Sequence, residues 1–214
     1  MADTNSNANT PHSAAPGTEA GTRTTGGGLP SPAREAGDRT GLSLAGAVLT
    51  GTVALYITLV AFGNITDFGT NQQFVRHVLA MDTTFQDPDL MWRAITSHAL
   101  QDATYVAIIA WETVSALVLI AGTVLWAVGI RRGGLTRARW VSTLGLLMVL
   151  ALFGAGFLAI GGEWFAMWQS KAWNGLEAAT RNVTVAGIAL LVVHLGAPAR
   201  LRAGTEERAG ATVS

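Results

Sequence analysis

Between Gly41 and Thr66 the chain carries no charged residue. A run of that length covers the ~20 residues that a helix needs to cross the hydrocarbon core of a bilayer. Three further apolar runs follow. One extends from about Ala103 to Ile130 and is broken by a single charge, Glu112; another, from about Trp140 to Ile160, has none. The last is purely apolar only from Asn182 to Gly196, but Asn174 with Glu177 three residues on has the pattern of an N-cap and its N3 carboxylate, which moves the helix start back to about residue 175. Since only helices and closed barrels satisfy their backbone in lipid, the pattern predicts an all-α membrane protein. Its four transmembrane helices fall at about 42–63, 103–130, 140–160 and 175–196, within one domain, 41–197.

The remaining composition fits. Only 13% of residues are charged, against about 25% in soluble domains. Net charge is zero, which gives no electrostatic basis for a nucleic-acid partner. There is no cysteine, so disulfides, iron–sulfur clusters and thiolate chemistry are excluded. Residues 1–40 and 198–214 are polar and lack apolar periodicity, and read as disordered tails. The first apolar run comes too late and is too long for a secretory signal.

Orientation follows from arginine. Arg131, Arg132, Arg137 and Arg139 crowd the loop between the second and third spans, and Arg200, Arg202 and Arg208 follow the fourth. The connection between the first two spans is acidic, with Asp67, Asp82, Asp87, Asp89 and Asp102 against Arg76 and Arg93. The positive-inside rule predicts that both termini are cytoplasmic and the two larger loops external. Trp126 and Trp140 flank the basic loop, while Trp92, Trp164, Trp168 and Trp173 lie in the outer loops, as expected of interfacial belts; Trp111 is the exception, inside the second span.

The outer connection carries structure of its own. Thr70 and Gln73 form a capping-box pattern ahead of Phe74, Val75, Val78, Leu79 and Met81, which share one helical face. The expectation is an amphipathic helix over 71–81, on the membrane surface or over the bundle, with Gln72, Arg76 and His77 turned away. Asp87-Pro88 then predicts a second short helix reaching about Thr96.

Chemistry-bearing residues are few. Glu112 lies about nine residues into its span, roughly 13 Å below the outer end at 1.5 Å per residue. A carboxylate at that depth costs at least ~2.5 kcal/mol and rarely faces lipid, so it needs a partner, a proton or a wet cavity. Arg181, about 10 Å below the Asn174 cap by the same rise, is the one other formal charge well inside a span, and the two are expected to pair or share a small site. Asn64, Asp67, His77, Asp82, Trp111, Glu163, Trp164, Trp168 and Asn174 form a candidate outer-face cluster around them, with Glu163 following the Gly161-Gly162 pair near the bundle mouth. No catalytic residue can be assigned and no cofactor is implied. His77, His98, Glu112 and Glu163 are chemically competent metal ligands, but no ligand spacing links them, so no metal is assigned. His194 has no second membrane histidine opposite it for haem ligation. Ala151, Ala155 and Ala159, like Ala47 and Gly51, recur every four residues and suggest helix-packing seams.

Several strings together resemble a bacterial family of predicted small integral membrane proteins, domain of unknown function 2165. They are Asn64-Ile-Thr-Asp-Phe-Gly, Phe74-Val-Arg-His-Val, Met81-Asp-Thr-Thr-Phe, Met91-Trp-Arg-Ala-Ile-Thr-Ser, Ala110-Trp-Glu and Gly161-Gly-Glu-Trp-Phe-Ala-Met-Trp-Gln-Ser with Trp173-Asn-Gly. The resemblance covers roughly 42–196 and implies a four-span protein of the bacterial inner membrane, without implying an activity. The family pattern often has Pro where this chain has His98, which weakens any role for that histidine.

Three readings of function are compatible with these residues. The leading one is a binding or accessory subunit, with a membrane-protein partner or a second copy of itself, that presents an ordered outer cap over a polar cluster. A proton- or ion-linked carrier using Glu112 and Arg181 is the alternative; it lacks an internal repeat and further polar residues in the spans. A membrane enzyme with an outer-face metal site is the third. All rest on the topology. Reporter fusions at residue 135 and beyond residue 200 are expected to score as cytoplasmic, and fusions near residues 86 and 170 as external; a cytoplasmic residue 86 would overturn the arrangement.

Overall fold

A helix nucleated by an apolar run extends past it, because each added residue contributes a hydrogen bond without a new nucleation cost. The computed structural model, which describes residues 32–195, shows this at both ends of several spans. Helix α1 runs Pro32–Thr66. Its start at Pro32, a residue suited to the first helical position, puts the tail boundary drawn at residue 40 inside a helix. The tail assignments for 1–31 and 196–214 lie outside the described residues.

Helix α2 (Phe68–Ala80) follows almost at once. Helix α3 (His98–Arg132) returns through the bundle, and Gly133 and Gly134, both at positive φ, turn the chain into α4. Helix α4 begins as α-helix, Thr136–Leu150, and continues as π-helix, Ala151–Trp164. Helix α5 is Leu176–Leu195. Four stretches are long and apolar enough to cross a membrane: Thr40–Thr66, His98–Arg132, Thr136–Trp164 and Leu176–Leu195. The protein is therefore an all-helical membrane protein with four candidate spans. In the bundle α1 and α4 each pack against both α3 and α5.

What closes the ring is small side chains. A Cβ on Gly145 would stand 2.7 Å from Leu119 Cγ, and one on Gly122 would stand 2.8 Å from Ser142 Oγ. Leu119, Leu146 and Ser142 are fully buried at this crossing. Trp126, expected as an interfacial anchor, is also buried; its indole donates to Ser142 Oγ at 3.0 Å and its ring lies against Gly46. Trp140, in contrast, is exposed. Gly51 meets Thr123 on α3, as expected of a seam. Ala151, Ala155 and Ala159 do not form one: all three are exposed. The π-helix has wider turns than the α-helix, so four-residue spacing there does not mark the face an α-helix would bury.

Beyond the α3–α4 crossing the two helices part, and α2 fills the gap. Val75, Leu79, Met81, Tyr105, Phe165 and Ala166 make a second apolar core, separate from that of the bundle. The amphipathic helix expected over 71–81 thus exists, starting three residues earlier. It lies over the bundle, but its polar face is not free: Gln72 and Arg76 both reach Asp102 on α3. Of the short helix expected after Asp87, a turn and one 3-10 turn, Met91–Arg93, are present.

Packing at the glycine crossing predicts two opposite outcomes. Gly145→Val should lower the melting temperature in detergent, overpacking costing about 1–3 kcal/mol. Gly187→Ala, in the open space around α5, should be neutral or raise it, since alanine favours helix by about 0.5–1 kcal/mol. Equal behaviour of the two would show that the crossing is not close-packed.

Candidate functional site

Three polar side chains of the spans, Asn64, Tyr105 and Glu112, meet where α1 ends. The last carbonyls of a helix have no acceptor role within it, and in a membrane they need other donors. The Tyr105 hydroxyl donates to the Asn64 carbonyl at 2.8 Å, and the Asn64 side-chain amide donates to Glu112 Oε2 at 2.6 Å. Tyr105 and Glu112 stand seven residues apart on α3, which places them on one face, so both bond to the same residue of α1. Glu112 is 2% exposed. Its carboxyl group is held by an uncharged amide, with α3 and α1 packed around it.

Arg181 is not its partner. It is exposed and makes no ion pair with Glu112. It sits near the start of α5, where a long side chain can keep its charged head towards the interface. A polar residue of α5 that does turn inward is its neighbour Asn182, 5% exposed, whose Oδ1 has no hydrogen-bond donor. Glu163 does not join Glu112 either. It is exposed, in an open cleft with Arg93, Ile160 and Trp164, whereas Glu112 turns towards α1.

The other expected residues, Trp111 apart, belong to the cap. Asp67 precedes α2 and is exposed, its carbonyl accepting from the backbone and side chain of Asn71. His77 bonds Asp82 at 2.8 Å and stacks on Trp173. Asn174 Oδ1 accepts from the Leu176 amide at 3.0 Å, as its capping role requires. Trp168 and Phe85 make an edge-to-face pair, as do Trp164 and Trp92. Trp111 is half-exposed and donates to the Met148 carbonyl at 2.9 Å, three residues before the π-helix begins. A side-chain donor on the helical ladder is a recognised cause of such irregularity.

Residues that composition did not single out hold this cap together. Asp102 accepts from Arg76 Nε and Nη2, each at 2.8 Å, and from the Gln72 amide at 2.8 Å. The hydrogen bond from Arg76 to Asp102 raises the guanidinium pKa further above its ordinary value. Thr83 bonds the buried Ser170, which also accepts from the Trp173 amide; the Phe85 amide donates to Gln169, and the Ile95 amide to Leu79. Gly175 admits the Phe74 ring, 2.8 Å from where a Cβ would stand. The acidic charge of Asp102 was visible in the sequence, but its pairing with a residue 26 positions earlier was not.

Under α2 is an apolar cavity of about 210 Å³, walled by α2, by Thr104 and Ile108 of α3, and by Leu152, Gly156 and Phe157 of the π-helix. Among the described residues no three His, Asp or Glu side chains converge on a metal-sized site.

A four-helix membrane bundle with one end closed by a short helix and two interlocked loops is the class this geometry defines. Residues 42–196 match the family described as predicted small integral membrane protein (DUF2165), and the chain belongs to that family. No curated protein and no solved structure matches it.

The Asn64 contact makes a direct prediction. Asn64→Leu strands a buried carboxyl group and should lower detergent stability by about 1–3 kcal/mol, the cost of an unsatisfied buried polar group. The double variant Asn64→Leu/Glu112→Leu should recover part of the loss. Arg181→Gln should melt with the wild type. Thermal melting of the purified variants decides; a large loss for Arg181→Gln, with Asn64→Leu silent, would reverse the assignment.

Proposed function

We propose that this chain is a non-catalytic binding or accessory subunit of a bacterial inner membrane, and that the capped end of the bundle is its binding end. The observation that carries this reading is the cap itself. Crossing a bilayer four times requires no closed end, yet here Arg76, Gln72, Asp102, Thr83 and Ser170 lock α2 and two loops over an apolar cavity. Rigid aromatic and arginine side chains at the rim are the residues that most often anchor binding surfaces, and Phe85, Trp92 and Trp168 are well exposed there. The arginine count favours an external position for this end, with both termini cytoplasmic. A carrier built on Glu112 and Arg181 has less support, since Glu112 bonds Asn64 and Arg181 faces outward.

Site-specific photocrosslinking in native membranes tests this. A crosslinker at Phe85 or Trp168 should give one adduct of defined mass, whereas one at Leu117, on the exposed apolar face of α3, should give a heterogeneous smear of lipid. Equally heterogeneous adducts at all three positions would overturn the reading.

A further inference from the structure

We propose that the capped end holds one zwitterionic phospholipid with a primary-amine headgroup: an acyl chain lies in the cavity under α2, its phosphate meets Arg93, and its ammonium meets Glu163. This rests on the reading of the capped end as the binding end, and names the ligand class.

The cavity comes first. At about 210 Å³ it exceeds the ~150 Å³ apolar void that takes up benzene. Its walls carry almost no polar group, so water gains nothing there, and an empty void forfeits the dispersion contacts of its lining. It reaches the surface between α3 and the π-helix, where Ile160 is 52% exposed and Thr104 and Ile108 are partly so. One turn from Thr104, Leu100 begins an exposed apolar face of α3. In a membrane that face meets acyl chains, and a chain is the apolar body at hand to enter.

A headgroup site adjoins it. Ile160 and Phe165 line both the cavity and a second, more open cleft of about 670 Å³, whose polar side chains are Arg93 and Glu163. The Arg93 guanidinium lies 4.8 Å from the centre of the Trp164 ring and 5.5 Å from that of Trp92. Its Nη1 is 3.5 Å from the Trp164 carbonyl, and its Nε is buried with no acceptor. That Nη1 contact is long, so the terminal nitrogens of this planar cation at a membrane interface are left for a phosphate oxygen. Glu163 borders the same cleft, exposed and without an ion pair to Arg93. Two opposite charges that share a cleft without pairing suit a ligand that carries both. An amine with N–H bonds can donate to Glu163; a trimethylated one cannot.

The test is native mass spectrometry of the full chain in mild detergent. Phosphatidylethanolamine, phosphatidylcholine and phosphatidylglycerol with identical acyl chains are added in turn. One phosphatidylethanolamine per protein should be retained about tenfold better than either of the others, the worth of one charge-assisted hydrogen bond. Arg93→Gln should weaken all three lipids. Gly156→Phe, at a position that lines the cavity and where a Cβ would meet nothing closer than 3.7 Å, should fill the cavity and remove retention. Glu163→Gln, at an exposed position that leaves the fold intact, should keep binding but abolish the preference for the primary amine. Equal retention of the three lipids, a preference for phosphatidylglycerol, or retention unchanged by Arg93→Gln and Gly156→Phe would overturn the proposal. A single protein adduct at Phe85 or Trp168 together with unselective lipid would overturn it while leaving the binding reading in place; heterogeneous adducts there would overturn the reading itself.

Discussion

A backbone or side-chain polar group without a partner inside hydrocarbon is costly, and no water is at hand to relieve it. Most polar positions in the described spans answer to that constraint, Asn182 Oδ1 being an exception. Thr50, Thr58, Thr113, Ser115, Thr123 and Thr184 each return a hydroxyl proton to the carbonyl four residues back. Where α1 ends and its own ladder runs out, Tyr105 covers the Asn64 carbonyl. Where α4 changes its hydrogen-bond register, the Trp111 indole donates to the ladder just ahead of the change. Glu112 is the extreme case, and an amide from the neighbouring helix meets it.

The Asn64 joint also explains why the capped end is ordered. By tying the last turn of α1 to two turns of α3, it fixes the point from which α2 departs. Helix α2 then has little freedom: Phe68 packs on Tyr105, Arg76 reaches Asp102, and Phe74 reaches Phe157 and Trp173. Two of these contacts hold α2 to α3, one to the π-helix and one to the loop ahead of α5, so α2 is fixed from three sides. The wedge between α3 and the π-helix is the space left over when close packing at Gly122 and Gly145 gives way to helices that part. Cavity and cap are thus two consequences of one geometry.

Charge alone is an incomplete guide to what a membrane bundle buries. Arg181 and Glu112 were the two formal charges inside predicted spans, and opposite sign suggested a pair. The bundle separates them because their costs are relieved differently. A long arginine near a helix end reaches the interface unaided, while a short carboxyl group two turns below Tyr105 cannot, and so needs a donor beside it. The neutral amides Asn64 and Asn182 turn inward alongside Glu112.

The sequence by itself determined the class of fold. Four apolar runs of spanning length leave a chain in lipid no choice but helix, and their positions were legible to within a few residues because composition changes sharply at their ends. It also determined that residues 71–81 would be helical with an apolar face, and that Glu112 would need a partner. The partner's identity, Asn64 and not Arg181, was decided by the tertiary structure, as were the burial of Trp126, the exposure of Ala151, Ala155 and Ala159, and the meeting of Arg76 with Asp102. These depend on which helices become neighbours and at what rotation, and residues 26 or 48 positions apart carry no mark in sequence of having been brought to hydrogen-bonding distance. A helix-forming pattern is local and survives in any arrangement; a contact between helices exists only in the one arrangement that packs.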